Sequence, residues 1–178
     1  MNRLAPARVL PRVIALVFDT ILVGLIYAAI GLVIGLVSFA RGERPVLEPA
    51  VGIGYGQGVL YVIVNLVYFA RYWTLGGSPG QRALRMYTLN ASDGSLLTWN
   101  QALLRWLYLY GPVALVYVLP RTSAVGETTF IATTYIAAVV LAYAYWAFLL
   151  WTAARDAKHQ GFHDVQAHTV VANVISPA

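Results

Sequence analysis

Four long runs of apolar residues constrain this chain more than any other feature. They cover approximately residues 13–40, 51–70, 102–119 and 130–151. A helix of about 20 apolar residues crosses the hydrocarbon core of a bilayer, and it pairs its own backbone groups there. Only 11% of the residues are charged, whereas a soluble domain has about 25%. The sequence therefore predicts an all-α membrane protein, a four-transmembrane-helix bundle that forms one domain over residues 1–178.

Arginine and lysine predict the orientation of these helices. If the chain crosses four times, one side holds Arg3, Arg8, Arg12, Arg71, Arg82, Arg85, Arg105, Arg155 and Lys158, and the other holds Arg41, Arg44 and Arg121. Cytoplasmic flanks carry the excess of basic residues. We therefore expect a multi-pass protein of the cytoplasmic (inner) membrane with both termini in the cytoplasm, a cytoplasmic element over 71–101 and a cytoplasmic tail over 152–178.

The element over 71–101 carries local signals of its own. Ser78 followed by Gln81 matches a capping box at a helix start. Residues 85–90 are compatible with a strand, and the Asp-Gly pair at 93–94 supplies a turn. We therefore expect a short hairpin or amphipathic element between the second and third helices. Ser78 also lies in a G-x-S-x-G sequence, but no strand precedes it, so we interpret it as a cap and not as a nucleophile.

Small and polar residues follow single faces of two predicted helices. The first has Gly24, Ala28, Gly31 and Gly35, and the second has Gly54, Gly58, Tyr61, Asn65 and Tyr68. The glycine spacing permits close contact with another helix. The polar stripe predicts a face turned toward protein or a wet cavity. Tyr61, Asn65 and Tyr68 are therefore candidate polar residues inside the membrane, although Asn65 is also explained by a hydrogen bond between helices.

The third run is the least regular of the four. It contains Gly111 and Pro112, and proline removes a backbone donor from a helix. We expect either a kink or a re-entrant turn at this point.

Four charged residues near the apolar runs are candidates for a charge network or ion site. Arg12 and Asp19 are seven residues apart, about 10 Å along a helix, so they should not bridge each other. A carboxylate in a membrane helix is costly and should find a cation or hydrogen-bond donor on another segment. Arg105 is placed to pair with Asp19 or Asp164. The alternative is that these residues only fix topology and packing.

Three segments together resemble the RDD family. They are Arg12 with Asp19 at the start of the first run, T-L-G-G-S-P-G-Q-R at 74–82 and F-H-D-V-Q-A-H-T-V-V at 162–171. The arginine and two aspartates of the family name would correspond to Arg12, Asp19 and Asp164. The resemblance implies an integral membrane protein, with transport, including cation/proton exchange, as the function usually suggested. We expect these three residues to converge, with Arg105 as a neighbour.

Two functional hypotheses follow from these observations. The first is a small ion or solute transporter or exchanger component, for which homo-oligomerisation would be needed. The alternative is a membrane adaptor that binds another membrane protein. We predict no enzyme, because no nucleophile and base pair is evident, and no cofactor or metal, since His159 and His163 lack fixed geometry. The expected partner is the lipid bilayer, and nucleic acid is not expected.

Overall fold

A computed structural model describes residues 3–42, 55–118 and 128–175 of the chain, and these are mostly helical. In chain order the elements are β1 (Arg3–Pro6), α1 (Val9–Ala40), α2 (Tyr55–Thr74), α3 (Pro79–Ala83), β2 (Met86–Asn90), α4 (Trp99–Val118), α5 (Thr128–Arg155), α6 (Phe162–Gln166) and β3 (Thr169–Ile175). The four predicted runs coincide with the long helices α1, α2, α4 and α5. The predicted positions 51–54 and 119, together with Arg44 and Arg121, lie outside the described residues.

Two of the long helices are long and apolar enough to cross a membrane by themselves. They are α1 and residues Thr133–Arg155 of α5. Helices α2 and α4 contain 20 residues each, which is roughly 30 Å of helix, but they carry more polar side chains. The prediction of membrane helices is therefore supported for α1 and α5.

In the described residues, helix α1 packs on the rest of the chain mainly through its N-terminal half, and Tyr27 adds an edge-to-face contact with Tyr61 of α2 at 5.5 Å. Its buried residues are Ala15, Asp19 and Val23. A Cβ built on Gly24, Gly31 or Gly35 would meet nothing within 4 Å. The described part of the chain therefore does not use the glycine stripe for helix packing.

Helices α2 and α4 pack closely against each other, and the polar stripe of α2 faces this contact. Gly58 has no room for a Cβ because the carbonyl oxygen of Tyr117 occupies that space. One turn further along α2, Tyr61 stacks on the ring of Tyr117 at 4.6 Å between centroids. Asn65 accepts a hydrogen bond from Trp106 Nε1 at 2.8 Å. Gly54, the first member of the predicted stripe, lies outside the described residues.

Helix α4 continues through Gly111 and Pro112, so the predicted re-entrant turn is wrong. Proline has no N–H, which leaves the carbonyl four residues earlier, that of Tyr108, without its helical donor. The Tyr145 hydroxyl of α5 donates to this carbonyl. A side chain from a neighbouring helix thus satisfies the backbone group that Pro112 frees.

A three-stranded antiparallel sheet closes one end of the helices, in the order β1-β3-β2. The prediction of an all-α fold is therefore wrong in this region. The strand that includes Leu89 pairs with β3, and the predicted short hairpin is present only as one antiparallel bridge between Leu89 and Leu96. Within the segment predicted as a cytoplasmic tail, the described residues 152–175 continue α5 to Arg155 and then form α6 and β3. Pairing between strands far apart in the chain leaves no local signal, which is why β1 and β3 were missed.

Candidate functional site

The candidate site lies where the first turns of α1, the start of α4, the short helices α3 and α6 and the sheet meet. It contains two buried carboxylates, Asp164 and Asp19, with relative exposures of 0% and 1%. Each carboxylate has its own set of donors, so the site divides into two clusters. We call them the Asp164 cluster and the Asp19 cluster.

The Asp164 cluster pairs one carboxylate with two arginines. Arg12 Nη1 donates to Asp164 Oδ2 at 3.0 Å, and Arg105 Nη1 pairs with Oδ1. The backbone N–H of Gly161, which precedes the first turn of α6, donates to Oδ2 at 3.0 Å, and the Thr169 hydroxyl lies 3.3 Å from Oδ1. The carboxylate is thus surrounded by donors from α1, α4, α6 and β3.

Both arginines also contact the C-terminal strand β3, and Arg105 contacts α2 as well. Arg12 Nη2 donates to the carbonyl of Val171 in β3 at 3.0 Å. Arg105 donates to the Thr169 hydroxyl at 2.6 Å, and its guanidinium lies 4.9 Å from the ring centroid of Trp73 in α2. The Asp164 cluster therefore ties α1, α2 and α4 to the C-terminal segment.

The charges around Asp164 keep it ionised in spite of its burial. Burial disfavours the charged carboxylate, but the positive charges of Arg105 and Arg12 hold the pKa of Asp164 well below its usual range. Arg105 is buried and Arg12 is half-buried. The second buried aspartate, Asp19, touches neither arginine.

His163 lies beside the Asp164 cluster as a neutral side chain at neutral pH. Its Nε2 is 3.6 Å from Asp164 Oδ2. Burial lowers the pKa of His163 from 6.5 to about 4; the negative Asp164 opposes this shift, and Arg105 and Arg12 reinforce it. The folded protein therefore disfavours protonation of this imidazole.

We predict that this histidine makes stability depend on pH. Because the folded-state pKa lies below the unfolded value of 6.5, the unfolded chain binds the proton first, and stability falls as pH drops from 6.5 toward 4. The loss between about pH 7 and about pH 5 should be about 2 kcal/mol. Chemical unfolding in detergent at both pH values measures it. His163→Gln should remove this part of the pH dependence; an undiminished loss in that variant would assign it to another group.

Asp19 forms the second cluster with donors that carry no charge. Its Oδ1 accepts from the Tyr68 hydroxyl at 2.9 Å and from the Gly80 backbone N–H at 2.8 Å, and its Oδ2 accepts from the Ser78 hydroxyl. Across 3–42, 55–118 and 128–175 no Lys or Arg nitrogen lies within 4.0 Å of this carboxylate. The partner that the sequence predicted for Asp19 on another segment is thus a set of neutral donors from α2 and α3.

The local sequence explains how α3 presents these donors. Ser78 caps α3, and the predicted capping box is confirmed, with Ser78 N–H donating to Gln81 Oε1 at 3.0 Å. Gly80 lies against α1 so closely that a Cβ would be 2.5 Å from the carbonyl oxygen of Ala15. Gly80 was not among the candidate residues predicted from the sequence. A glycine in the first turn of a helix is the signal that could have indicated a close approach of two backbones.

The structure therefore brings together some of the candidate residues and separates others. Arg12, Arg105 and Asp164 meet in one cluster, and Asp19 lies in the other with Tyr68. Thr169, which touches Asp164 and Arg105, was also missed, because nothing in its sequence context indicates the contact.

Two cavities adjoin the clusters. One, of about 220 Å³, lies between α1 and α5 and is lined by both arginines, Asp19, Ser78 and His163 among mostly apolar residues. The other, of about 430 Å³, lies between α2, α4 and α5 and includes Tyr61 and Asn65 in its wall. The candidate polar residues of α2 thus line a cavity on one side and reach the Asp19 cluster, through Tyr68, on the other.

Comparisons with known proteins give one match. A family model described as RDD family matches residues 6–168, nearly the whole chain. No curated protein and no solved structure matches the chain. In the described ranges no group of three or more histidine, aspartate or glutamate side chains is arranged to hold a metal ion.

Proposed function

The chain belongs to the RDD family, and we propose on that premise that it is a multi-pass protein of the cytoplasmic membrane in which α1, α2, α4 and α5 all cross the bilayer. Both termini are then cytoplasmic, together with the sheet and the Asp164 cluster. The excess of basic residues at these ends supports this orientation. At 32 residues, α1 is roughly 48 Å long, which leaves its first turns room to extend into the headgroup layer.

We predict that topology reporters will distinguish this arrangement from a two-span protein. A fluorescent protein that folds only in the cytoplasm should fluoresce when it is fused after Ile175, and an alkaline phosphatase fused there should be inactive. The same pair of reporters fused after Gly42 should give the opposite result. Cytoplasmic signals from the Gly42 fusion would contradict the proposed orientation.

The function that best fits the site is transport of a small ion or solute, with Asp19 as the ionisable group of the pathway. The observation that carries the proposal is a buried carboxylate in a membrane helix whose donors are all neutral. An unpaired intramembrane carboxylate is costly and is typical of proton and ion pathways. Asp19 also lines the cavity between α1 and α5, and the next residue, Thr20, lines the larger one. A carboxylate in this position is suited to exchange a proton for a cation.

The charge of Asp19 can be removed with little change in shape. Asn at position 19 keeps an oxygen for Tyr68 and Gly80, and its amide can donate to the Ser78 hydroxyl. We predict that Asp19→Asn reduces flux at least about tenfold, equivalent to about 1.4 kcal/mol in barrier height, while thermal unfolding stays close to wild type. Flux is measured in proteoliposomes with an internal pH dye and imposed gradients of sodium, potassium and an organic ammonium ion.

An exposed aspartate provides the matched control for this experiment. Asp93 lies in the turn before Ser95 and is exposed, so Asp93→Asn removes the same charge without touching the pathway. Its flux should equal that of the wild type. Equal flux in Asp19→Asn and wild type would remove Asp19 from the mechanism.

The second candidate function is an adaptor that binds another membrane protein or a second copy of this chain. The exposed apolar surface of α1 beyond Tyr27 favours it. A Cβ on Gly31 or Gly35 would meet nothing within 4 Å there in the described residues. Cross-linking in membranes distinguishes the two candidates. A stoichiometric cross-linked species that Gly31→Leu abolishes and Leu32→Ile preserves would support the adaptor.

The proposal includes no chemical reaction. Ser78, the serine of the G-x-S-x-G sequence, accepts the Gln81 N–H as a helix cap and donates its proton to Asp19. Its hydroxyl is therefore occupied by structural hydrogen bonds.

A further inference from the structure

The larger cavity, between α2, α4 and α5, has walls of unusual composition. Its volume is about 430 Å³, and five tyrosines and two tryptophans are among the fifteen residues that line it. The remaining lining residues are aliphatic, except for Thr20 and Asn65. In the described part of the chain its wall contains no lysine, arginine, histidine, aspartate or glutamate. The cavity is thus an aromatic enclosure without formal charge.

The rings around this space stand at several angles to one another. Tyr110 meets Trp146 edge to face at 6.1 Å and lies tilted to Trp106 at 6.3 Å. Tyr143 meets Trp146 at 86° between ring planes. An aromatic face carries negative electrostatic potential and attracts a cation. Several differently oriented rings around one volume can therefore surround a positive charge.

Tyr110 contributes its ring, and not its hydroxyl, to the wall of this cavity. The residue is only 5% exposed, and its hydroxyl oxygen is fully buried without a hydrogen-bond partner in the described residues. The ring is among the groups that line the cavity, so Tyr110 adds aromatic surface to it.

From this wall we infer that the larger cavity binds a monovalent organic cation of the quaternary ammonium class. The inference rests on the proposed transport function and names the substrate class. A small inorganic cation would need several oxygen ligands to replace its water, and the wall is mostly aromatic and aliphatic. A quaternary ammonium ion spreads its charge over methyl groups and is the class that aromatic enclosures recognise. Tyr143 in this wall is 67% exposed, so it can be substituted without disturbing the buried core.

A pair of probes of equal shape tests the inference. Phenyltrimethylammonium and its neutral isostere tert-butylbenzene are titrated into the purified full-length protein in detergent. Binding is followed by tryptophan fluorescence, since Trp106 and Trp146 line the cavity, and equilibrium dialysis against protein-free micelles fixes the free concentrations. The cation should bind at least about tenfold more tightly than the isostere. Equal or tighter binding of the isostere, or no binding of the cation, would overturn the inference.

Variants of Tyr143, an exposed residue of the wall, test whether phenyltrimethylammonium binds in this cavity. Tyr143→Leu should weaken phenyltrimethylammonium binding about tenfold because it removes a ring face, whereas Tyr143→Phe should retain most of the affinity. Phe39→Leu, an exposed aromatic of α1 outside the cavity, should change nothing. Unchanged affinity in Tyr143→Leu, or an equal loss in Phe39→Leu, would contradict binding in this cavity.

These experiments distinguish a failure of the binding site from a failure of the transport proposal. Tight binding of the cation without flux in proteoliposomes would contradict the transport proposal and leave the binding site standing. Flux of inorganic ions that depends on Asp19, with no binding of the organic cation, would overturn the site and leave transport standing.

Discussion

Asp164→Ala should be the most destabilising single substitution at the candidate site, with a loss of about 3–5 kcal/mol in the free energy of unfolding. Asp164 is the only carboxylate within 4.0 Å of Arg12 and Arg105 in the described residues. Its removal leaves one buried guanidinium group, that of Arg105, and one half-buried group, that of Arg12, without a counter-charge. This costs far more than the loss of a surface ion pair. Thermal unfolding in detergent, followed by tryptophan fluorescence, measures the change.

A double-mutant cycle tests the reason for this loss. If the cost arises from unpaired arginine, then Arg105→Gln should destabilise the wild type strongly but add little to Asp164→Ala, because the interaction is already lost. Additive losses would show that the two side chains act independently. Asp93→Asn removes the charge of an exposed aspartate and keeps the oxygen that accepts from Ser95, so it should leave the unfolding transition close to that of the wild type.

Gly80→Ala should separate α3 from α1 and disrupt the Asp19 cluster. The new Cβ would lie 2.5 Å from the backbone oxygen of Ala15 and 2.9 Å from Asp19 Oδ2. Because a backbone oxygen cannot rotate away, the helices must move apart, and the Gly80 N–H moves away from the carboxylate. We expect a loss of about 1–3 kcal/mol. If Asp19 is the ionisable group of the pathway, the flux should fall as well.

Another glycine of the same chain provides the control. A Cβ on Gly24 would meet nothing within 4 Å, and alanine is the better helix former by about 1 kcal/mol. Gly24→Ala should therefore leave unfolding unchanged or shift it upward, with normal flux. Equal behaviour of Gly80→Ala and Gly24→Ala would contradict the close packing of α3 on α1.

The site could be predicted from the sequence only in part. A carboxylate in an apolar helix requires a partner, so the need for a donor to Asp19 was predictable, but its identity was not. Arg105 was equally suited to Asp19 and Asp164 from its position in the chain. The structure shows that it pairs with Asp164 and leaves Asp19 to Tyr68, Ser78 and Gly80. Arg12, Asp19 and Asp164 thus lie at the same end of the molecule, as predicted, but they do not form a single cluster.

The sequence by itself determined the four long helices and the cap at Ser78, because apolar run length and capping depend on residues within a few positions of one another. Only the tertiary structure decided the sheet, the continuity of α4 past Pro112 and the division of the buried charges. These features depend on groups far apart in the chain, such as Arg12 and Asp164, which are 152 residues apart. Such contacts form because buried polar groups must find partners wherever the fold brings them, and no local pattern records which partner that is.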